Sequence, residues 1–347
     1  MALAKFAGGY GSVVKNATAE YKSAFTSDGK VWLASLKGVE QKTYSFYHRT
    51  MLVGGSMLSF DVASKKWSHD GDFPEIDADE NREDELFAWR DHLLMLVYSR
   101  YGGLKIRELL EWNRKDKKWQ KVAGFKVDDA AQISSSDKSG MAHLTIASGA
   151  PTSDTLYLVE TADASRFARI TKLALGQDSQ SKINQAHVSH VMDVPEASVF
   201  FLQQAGHVIL AAVDGNKLYC LGVSQGCGYR WDPEHLLIVD LEKKSFSVTE
   251  DENPGGPSWA FMGPQIGFLL PPSRWVMLGG AVALGEMTSD HSPEVWSLKL
   301  AGSKPSWVKE KPQLPKDLHS RDALNVVSDG KSAIYVCESN AVYEGKL

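Results

Sequence analysis

The sequence predicts an all-β fold: a six-bladed β-propeller of four-stranded antiparallel blades, with the last blade closed by an N-terminal strand. Three observations carry this expectation. A polar residue recurs six positions before an aromatic across a Lys-rich turn, as Asp61 to Trp67, Asn113 to Trp119, Thr161 to Phe167 and Asp240 to Phe246, and again as Lys299 to Trp307 with two residues added. Paired apolar runs joined by a short turn recur six times. One unit lacks a fourth strand while an N-terminal stretch is left over, and a propeller leaves no open strand edge exposed.

The first unit opens on SAFTSDGKVWLAS (23–35) and closes on the 61–67 hairpin; the second places ELFAWRDHLLMLVYS (85–99) before 113–119. The third is read with QISSSDKSGMAHLTIAS (132–148) as its inner pair and LYLVETADASRF (156–167) as its outer one. HVILAAVDGNKLYCLG (207–222) precedes 240–246 in the fourth unit, and IGFLLPPSRWVMLGG (266–280) precedes 299–307 in the fifth. The sixth has ALNVVSDGKSAIYVCES (323–339) and then Ala341 to Gly345, and Ala4 to Val14 is expected to complete it. Asp-Gly and Pro-Pro at the inner turns supply positive φ or preset the bend. In the outer hairpins the aromatic packs back onto the adjacent sheet. The interval from Phe167 to Phe246 holds an extra apolar run, SVFFLQ (198–203), but no second outer hairpin, so six blades are expected rather than seven.

A chain of 347 residues, 43% hydrophobic and 23% charged, is large enough to bury a core, and the repeat joins residues 1–347 into one domain. A net charge of −5 gives no field that would gather phosphate backbones or acidic lipid, so neither nucleic acid nor a membrane is an expected partner. Cys220, Cys227 and Cys337 are an odd set without zinc spacing, which fits a reducing compartment. The N-terminal MALAKFAGGYG breaks into glycines before an apolar signal core, and no apolar run reaches about 18 residues. A cytoplasmic monomer is expected.

Blade geometry divides the loops between two faces. First–second and third–fourth hairpins share one face and are short. Second–third loops and the connections between blades share the other, and every long segment falls there: 37–56, 68–84, 171–205, 222–235 and 281–294. Loops on a rigid scaffold carry function, so the site is expected on the elaborated face near the channel mouth.

The fifth unit resembles a kelch repeat. Gly279-Gly280 ends its second strand, and an apolar third strand, a short turn and Trp307 follow. The glycine pair returns as Gly102-Gly103 in the second unit and is missing from the third and sixth. Units of about 58 residues exceed the usual kelch length of roughly 50 through identifiable insertions. Plant specifier proteins, kelch propellers that direct glucosinolate breakdown with ferrous iron, carry Glu-x3-Asp-x3-His in a similar loop. Glu286 and Asp290 resemble the first two positions, Glu294 stands where the His would be, and His291 lies beside them. Against a default of no cofactor, this resemblance implies a divalent metal such as iron. His187, His190 and Asp193 form a second set of ligand types within 171–205. The run from Asp70 to Glu85, nine acidic residues against one Arg, fits a solvated linker or a dock for a basic segment.

Aromatics on the elaborated side point another way. Tyr44, Phe46, Tyr47 and His48 lie in one insertion, Tyr229, Arg230 and Trp231 in another, and Trp259 between two blades; Tyr, Trp and Arg are the residue types that anchor interfaces. No Gly-x-Ser-x-Gly, His-Glu-x2-His or phosphate-binding glycine loop is present. The expected function is therefore a non-catalytic module that binds a protein or peptide through Tyr229, Arg230, Trp231, Tyr47, His48 and Trp259. The alternative is a metal-assisted small-molecule enzyme or specifier-type protein using Glu286 and Asp290, with Glu294 as third ligand.

Overall fold

The computed structural model describes residues 4–13, 21–35, 39–44, 47–52, 55–73, 82–99, 104–132, 142–149, 153–162, 167–179, 181–195, 208–223, 235–250, 266–278, 281–283, 289–291, 294–301, 304–314 and 325–346. They form six four-stranded antiparallel sheets arranged in a ring, a six-bladed β-propeller. Strand β1 (Ala4–Gly8) belongs to the last blade. The first blade is β2 (Tyr21–Thr26), β3 (Lys30–Ser35), β6 (Gly55–Asp61) and β7 (Lys66–Phe73), with the hairpin β4 (Val39–Tyr44) and β5 (Tyr47–Leu52) inserted between its second and third strands. The second is β8 (Arg82–Trp89), β9 (His92–Ser99), β10 (Lys105–Asn113) and β11 (Lys118–Lys121). A short strand β12 (Phe125–Val127) then runs parallel along the outer edge of the third blade, which is β13 (Ala142–Ile146), β14 (Thr155–Ala162), β15 (Phe167–Gln177) and β16 (Ile183–Pro195).

The fourth blade is β17 (Val208–Asp214), β18 (Lys217–Val223), β19 (His235–Asp240) and β20 (Ser245–Glu250). The fifth is β21 (Ile266–Leu270), β22 (Arg274–Leu278), β25 (Glu294–Lys299) and β26 (Ser306–Gln313), with the hairpin β23 (Ala281–Ala283) and β24 (Ser289–His291) inserted. The sixth is β27 (Val326–Ser328), β28 (Ala333–Cys337) and β29 (Ala341–Lys346), completed by β1 as expected. Backbone bonds from Tyr10 N–H to Glu338 O (3.1 Å) and from Gly11 N–H to Ser339 O (2.8 Å) extend that closure. The approach is tight enough that a Cβ on Gly9 would run into the backbone of Glu338 and Ala341, so glycine is required there.

The core is not central. It lies in six layers between neighbouring blades, and each blade packs both of its faces. In β9 every residue from Leu93 to Ser99 is buried. Leu93, Met95 and Val97 pack with Trp32 and Met57 of the first blade, while Leu94, Leu96 and Tyr98 pack with Leu158, Leu173 and Val188 of the third. A strand covered on both faces reads as a continuous apolar run, which is why the inner hairpins stand out in the sequence.

The spacing of six has a local cause. Asp61, Asn113 and Asp240 accept hydrogen bonds from backbone N–H groups within the turn, Ser64 on Asp61, Lys115 and Asp116 on Asn113, and Glu242 and Lys243 on Asp240. The residue four positions after the cap then turns left-handed, Lys65 at φ 57°, Lys117 at φ 50° and Lys244 at φ 51°, and the aromatic opens the outer strand.

The third blade departs from its expected register. Thr161 and Phe167 flank the second–third connection, not the third–fourth hairpin; of the inner pair expected over 132–148, β13 pairs with β14 as the blade's first strand and 133–141 lie outside the described residues. Of the segment expected as an insertion, 171–205, the described part is mostly sheet: β15 and β16 pair from Phe167 opposite Pro195 to Gln177 opposite Ile183. An Asx-type cap, Asp178 accepting from Lys182 N–H (3.0 Å), forms their turn, but Ser181 takes the left-handed position that lysine holds elsewhere. The Lys-rich signature was therefore absent at the true hairpin.

Candidate functional site

First strands surround the ring axis, with β2 beside β8 and β27, and β17 beside β13 and β21. Their N-terminal ends face the side from which the inserted hairpins β4–β5 and β23–β24 arise. At that end Lys22 of β2 meets two carboxylates of β8, with Nζ 4.0 Å from Asp84 Oδ2 and 3.8 Å from Glu85 Oε1. Both carboxylate oxygens lie within reach of one ammonium, so they are under about 8 Å apart. Ser23 Oγ, next to Lys22, donates to Val326 O at 3.3 Å and ties the cluster to the sixth blade.

Two polar atoms here are buried without a hydrogen-bond partner: Asp84 Oδ2, and Asn325 Oδ1 at the entrance of β27. A buried acceptor left without a hydrogen bond costs on the order of 1–3 kcal/mol, so each such group calls for an explanation, a functional role being one. Desolvation pushes the Glu85 carboxyl above the ordinary glutamate range; Lys22 opposes this, and Asp84 and Glu83 add to it. Glu85 nevertheless keeps 36% of its side chain open to solvent. The cluster thus sets a carboxyl raised by burial beside a buried carboxylate oxygen that accepts no hydrogen bond and has only the Lys22 ammonium, 4.0 Å away, to balance it. That is the equipment of acid–base chemistry.

Another carboxyl raised by burial lies in the layer between the second and third blades. Glu160 on β14 is fully buried, accepts from Thr171 Oγ1 at 2.8 Å, and has Oε2 unpartnered. Burial pushes its carboxyl up to about 8, against the Thr171 bond and the charge of Arg169. Arg169 in turn donates through Nε to Asp193 Oδ1 (2.9 Å) and through Nη2 to Oδ2 (3.1 Å), and His190 Nε2 lies 3.1 Å from the same Oδ1. Although burial opposes it, Arg169 and His190 hold the Asp193 carboxyl below its usual range.

The expected site residues fare unevenly. Tyr47 and His48 lie on β5, opposite Tyr44 and Thr43. Tyr229, Arg230, Trp231, Trp259 and Glu286 lie outside the described residues. Asp290 sits on β24 opposite Val282. Glu294 opens β25, where Trp296 Nε1 donates to it at 2.7 Å and Lys309 pairs with it. Burial raises the Glu294 carboxyl, but Lys309 and Trp296 outweigh it and hold the carboxyl below its usual range. Glu294 therefore completes a cross-strand ion pair. His187 and His190 are on the outer strand β16, not in a loop, and turn to different carboxylates, His187 to Asp128 at 2.8 Å and His190 to Asp193. Among the described residues no three His, Cys, Asp or Glu side chains stand together as a metal-ligand set.

The acidic run is also corrected at its ends. Asp70 lies on β7 and accepts from Ser59 Oγ, and Glu83, Asp84 and Glu85 lie on β8. Read as a linker, the run hid the cluster.

No family model matches the chain, and no curated protein matches it in sequence. Among solved structures it is similar to an α-L-arabinanase of Penicillium chrysogenum at 9% identity, covering 100% of this chain and 98% of that one, TM-score 0.48. It is similar to YjhT at 9% identity, 94% and 93% coverage, TM-score 0.46. An α-L-arabinofuranosidase of Fusarium graminearum is similar at 9% identity, 100% and 97% coverage, TM-score 0.45. The expectation of a non-catalytic protein- or peptide-binding scaffold is corrected here: two of these three propellers bear the names of enzymes. None of the three locates a site in this chain, and the residues of the channel mouth carry the functional reading.

Proposed function

We propose that the chain is an enzyme that performs acid–base chemistry on a glycoside at the mouth of the propeller channel. The observation that carries this reading is the Lys22, Asp84 and Glu85 cluster, in which a buried Asp84 oxygen accepts no hydrogen bond. Cleavage of a glycosidic bond needs one carboxyl that delivers a proton to the leaving oxygen and a second that acts on the other side of the sugar, within about 5–9.5 Å. Glu85, with its raised carboxyl, is the proton donor. Asp84 supplies the opposing acceptor, and Lys22 holds the two oxygens at one distance from a fixed positive charge. Asn325 offers its free Oδ1 to a substrate hydroxyl. The arabinan-directed names of the similar propellers indicate which glycans to try first and argue nothing further. The kelch resemblance supports only the hairpin scheme of the fifth blade.

The test is release of reducing ends from a panel of neutral oligosaccharides, arabinan fragments included. Glu85→Gln and Asp84→Asn should each lower kcat by about 10²-fold or more, with melting temperatures near that of the parent. If the chain cleaves a glycan and both variants keep that rate, the site is elsewhere. If it binds glycans and cleaves none, the catalytic reading fails.

A further inference from the structure

The face opposite the carboxylate mouth carries its own signal. It is built from the first–second and third–fourth hairpins, and in the sixth blade from the ends of β29 and β1. Taken with the two strand residues on either side of each turn, this face holds eighteen Lys or Arg against ten Asp or Glu, although the whole chain has a formal charge of −5. Charge is segregated by topology, and all of these charged residues are described ones.

The three arginines are committed to structure. Arg90 binds Asp154 at 2.6 Å and Gln177 at 2.7 Å, Arg114 holds Asp28 and the carbonyl of Asp91, and Arg274 lies 3.4 Å from Glu310. Some lysines are also engaged, Lys65 Nζ 4.1 Å from the centre of the Phe6 ring and Lys243 Nζ 3.7 Å from Asp240 Oδ2, but most stand at the surface. Lys65, Lys66, Lys115, Lys117 and Lys118 are all exposed at the turns of two adjacent blades. Lys65, Lys117 and Lys244 occupy left-handed turn positions that glycine or asparagine fills at lower cost. Phe246, beside Lys243 and Lys244, is the one exposed large hydrophobic side chain among the described residues, and it opens β20 on this same face.

We propose that this face docks on a bilayer of acidic lipid. Lysine is a compact point charge without the planar fork that reads a particular phosphate, so a spread of lysines fits a laterally mobile anionic surface better than a fixed ligand. Among the described residues most of the hairpins on this face are short, which makes it shallow. Lysines near an anionic leaflet act together, so a cluster of about four or more suffices for measurable binding. An exposed aromatic at the rim adds an apolar anchor at headgroup depth. Docked this way, the molecule turns the Asp84–Glu85 mouth toward solution.

The test is cosedimentation of the full chain with vesicles of phosphatidylcholine alone or with about one third phosphatidylserine. Binding is expected only to the acidic vesicles and should vanish as salt rises from about 0.05 to about 0.5 M. Reversing Lys66, Lys115, Lys117 and Lys118 to Glu should lower the partition at least tenfold with an unchanged melting curve. The control reverses four exposed strand lysines, Lys105, Lys126, Lys172 and Lys311, which shifts net charge equally and should leave most binding intact. The proposal is overturned if acidic vesicles are not bound, if the control loses as much as the hairpin variant, or if a DNA duplex binds tighter than vesicles at the same salt.

Discussion

Glu160 should make the stability of this protein fall with alkaline pH, against the usual behaviour of a carboxylate. An unfolded glutamate titrates near 4.5, and burial pushes the folded value up to about 8. Between those values the native state still holds the proton that the unfolded chain has released. The stabilising contribution is therefore complete below about pH 4.5 and is lost as pH rises through 8. A gap of roughly 3.5 pKa units sets a ceiling of about 5 kcal/mol, and relaxation around the charge makes about 2–4 kcal/mol the working expectation. The groups that face Glu160 are Thr171, Arg169 and Asp193, the last bonded to His190. Glu160→Gln keeps the shape and the Thr171 contact but cannot ionise. Urea unfolding at about pH 5, 7 and 9 should show the parent losing stability relative to the variant at each step. Other titrating groups are common to both proteins, so the difference isolates Glu160. Parallel pH profiles for the two proteins would refute the reasoning.

Removing residues 1–13 should destabilise the whole ring by more than about 3 kcal/mol, because it opens an edge of the sixth blade. The deletion takes away the β1–β29 ladder, the bond from Trp67 Nε1 to Gly8 O at 2.9 Å, and the contacts of the Phe6 ring with Phe60 and Tyr335. A denaturation midpoint equal to that of the intact chain would reopen the closure. Gly9→Ala should cost about 1–3 kcal/mol by forcing a Cβ into the backbone of the last blade; thermal melts that coincide with the parent's would show that this approach can relax. A Trp67→Phe change keeps the ring but loses its bond to Gly8, and should cost about 1 kcal/mol, read from the same urea titrations.

By itself the sequence determined the architecture. Strands covered on both faces read as unbroken apolar runs, and Asx-capped turns set Asp61, Asn113 and Asp240 six positions before their aromatics; both are local patterns, legible without a partner in space. The same locality explains the misreading of the third blade. Its true outer turn at 177–183 puts serine where lysine stands elsewhere, so the signature fell on the wrong connection. A trace of Glu160 was visible as one acid inside the apolar run LYLVET, but a carboxylate in a strand acquires a raised pKa only when a second sheet closes over it. Only the tertiary structure decided that Lys22, 62 and 63 residues before Asp84 and Glu85, meets them at the channel mouth, and which further lysines join the Lys-rich turns, already visible in the sequence, on one face. Each depends on which ends of separate strands come together around the ring, and that is set by closure, which no local stretch encodes.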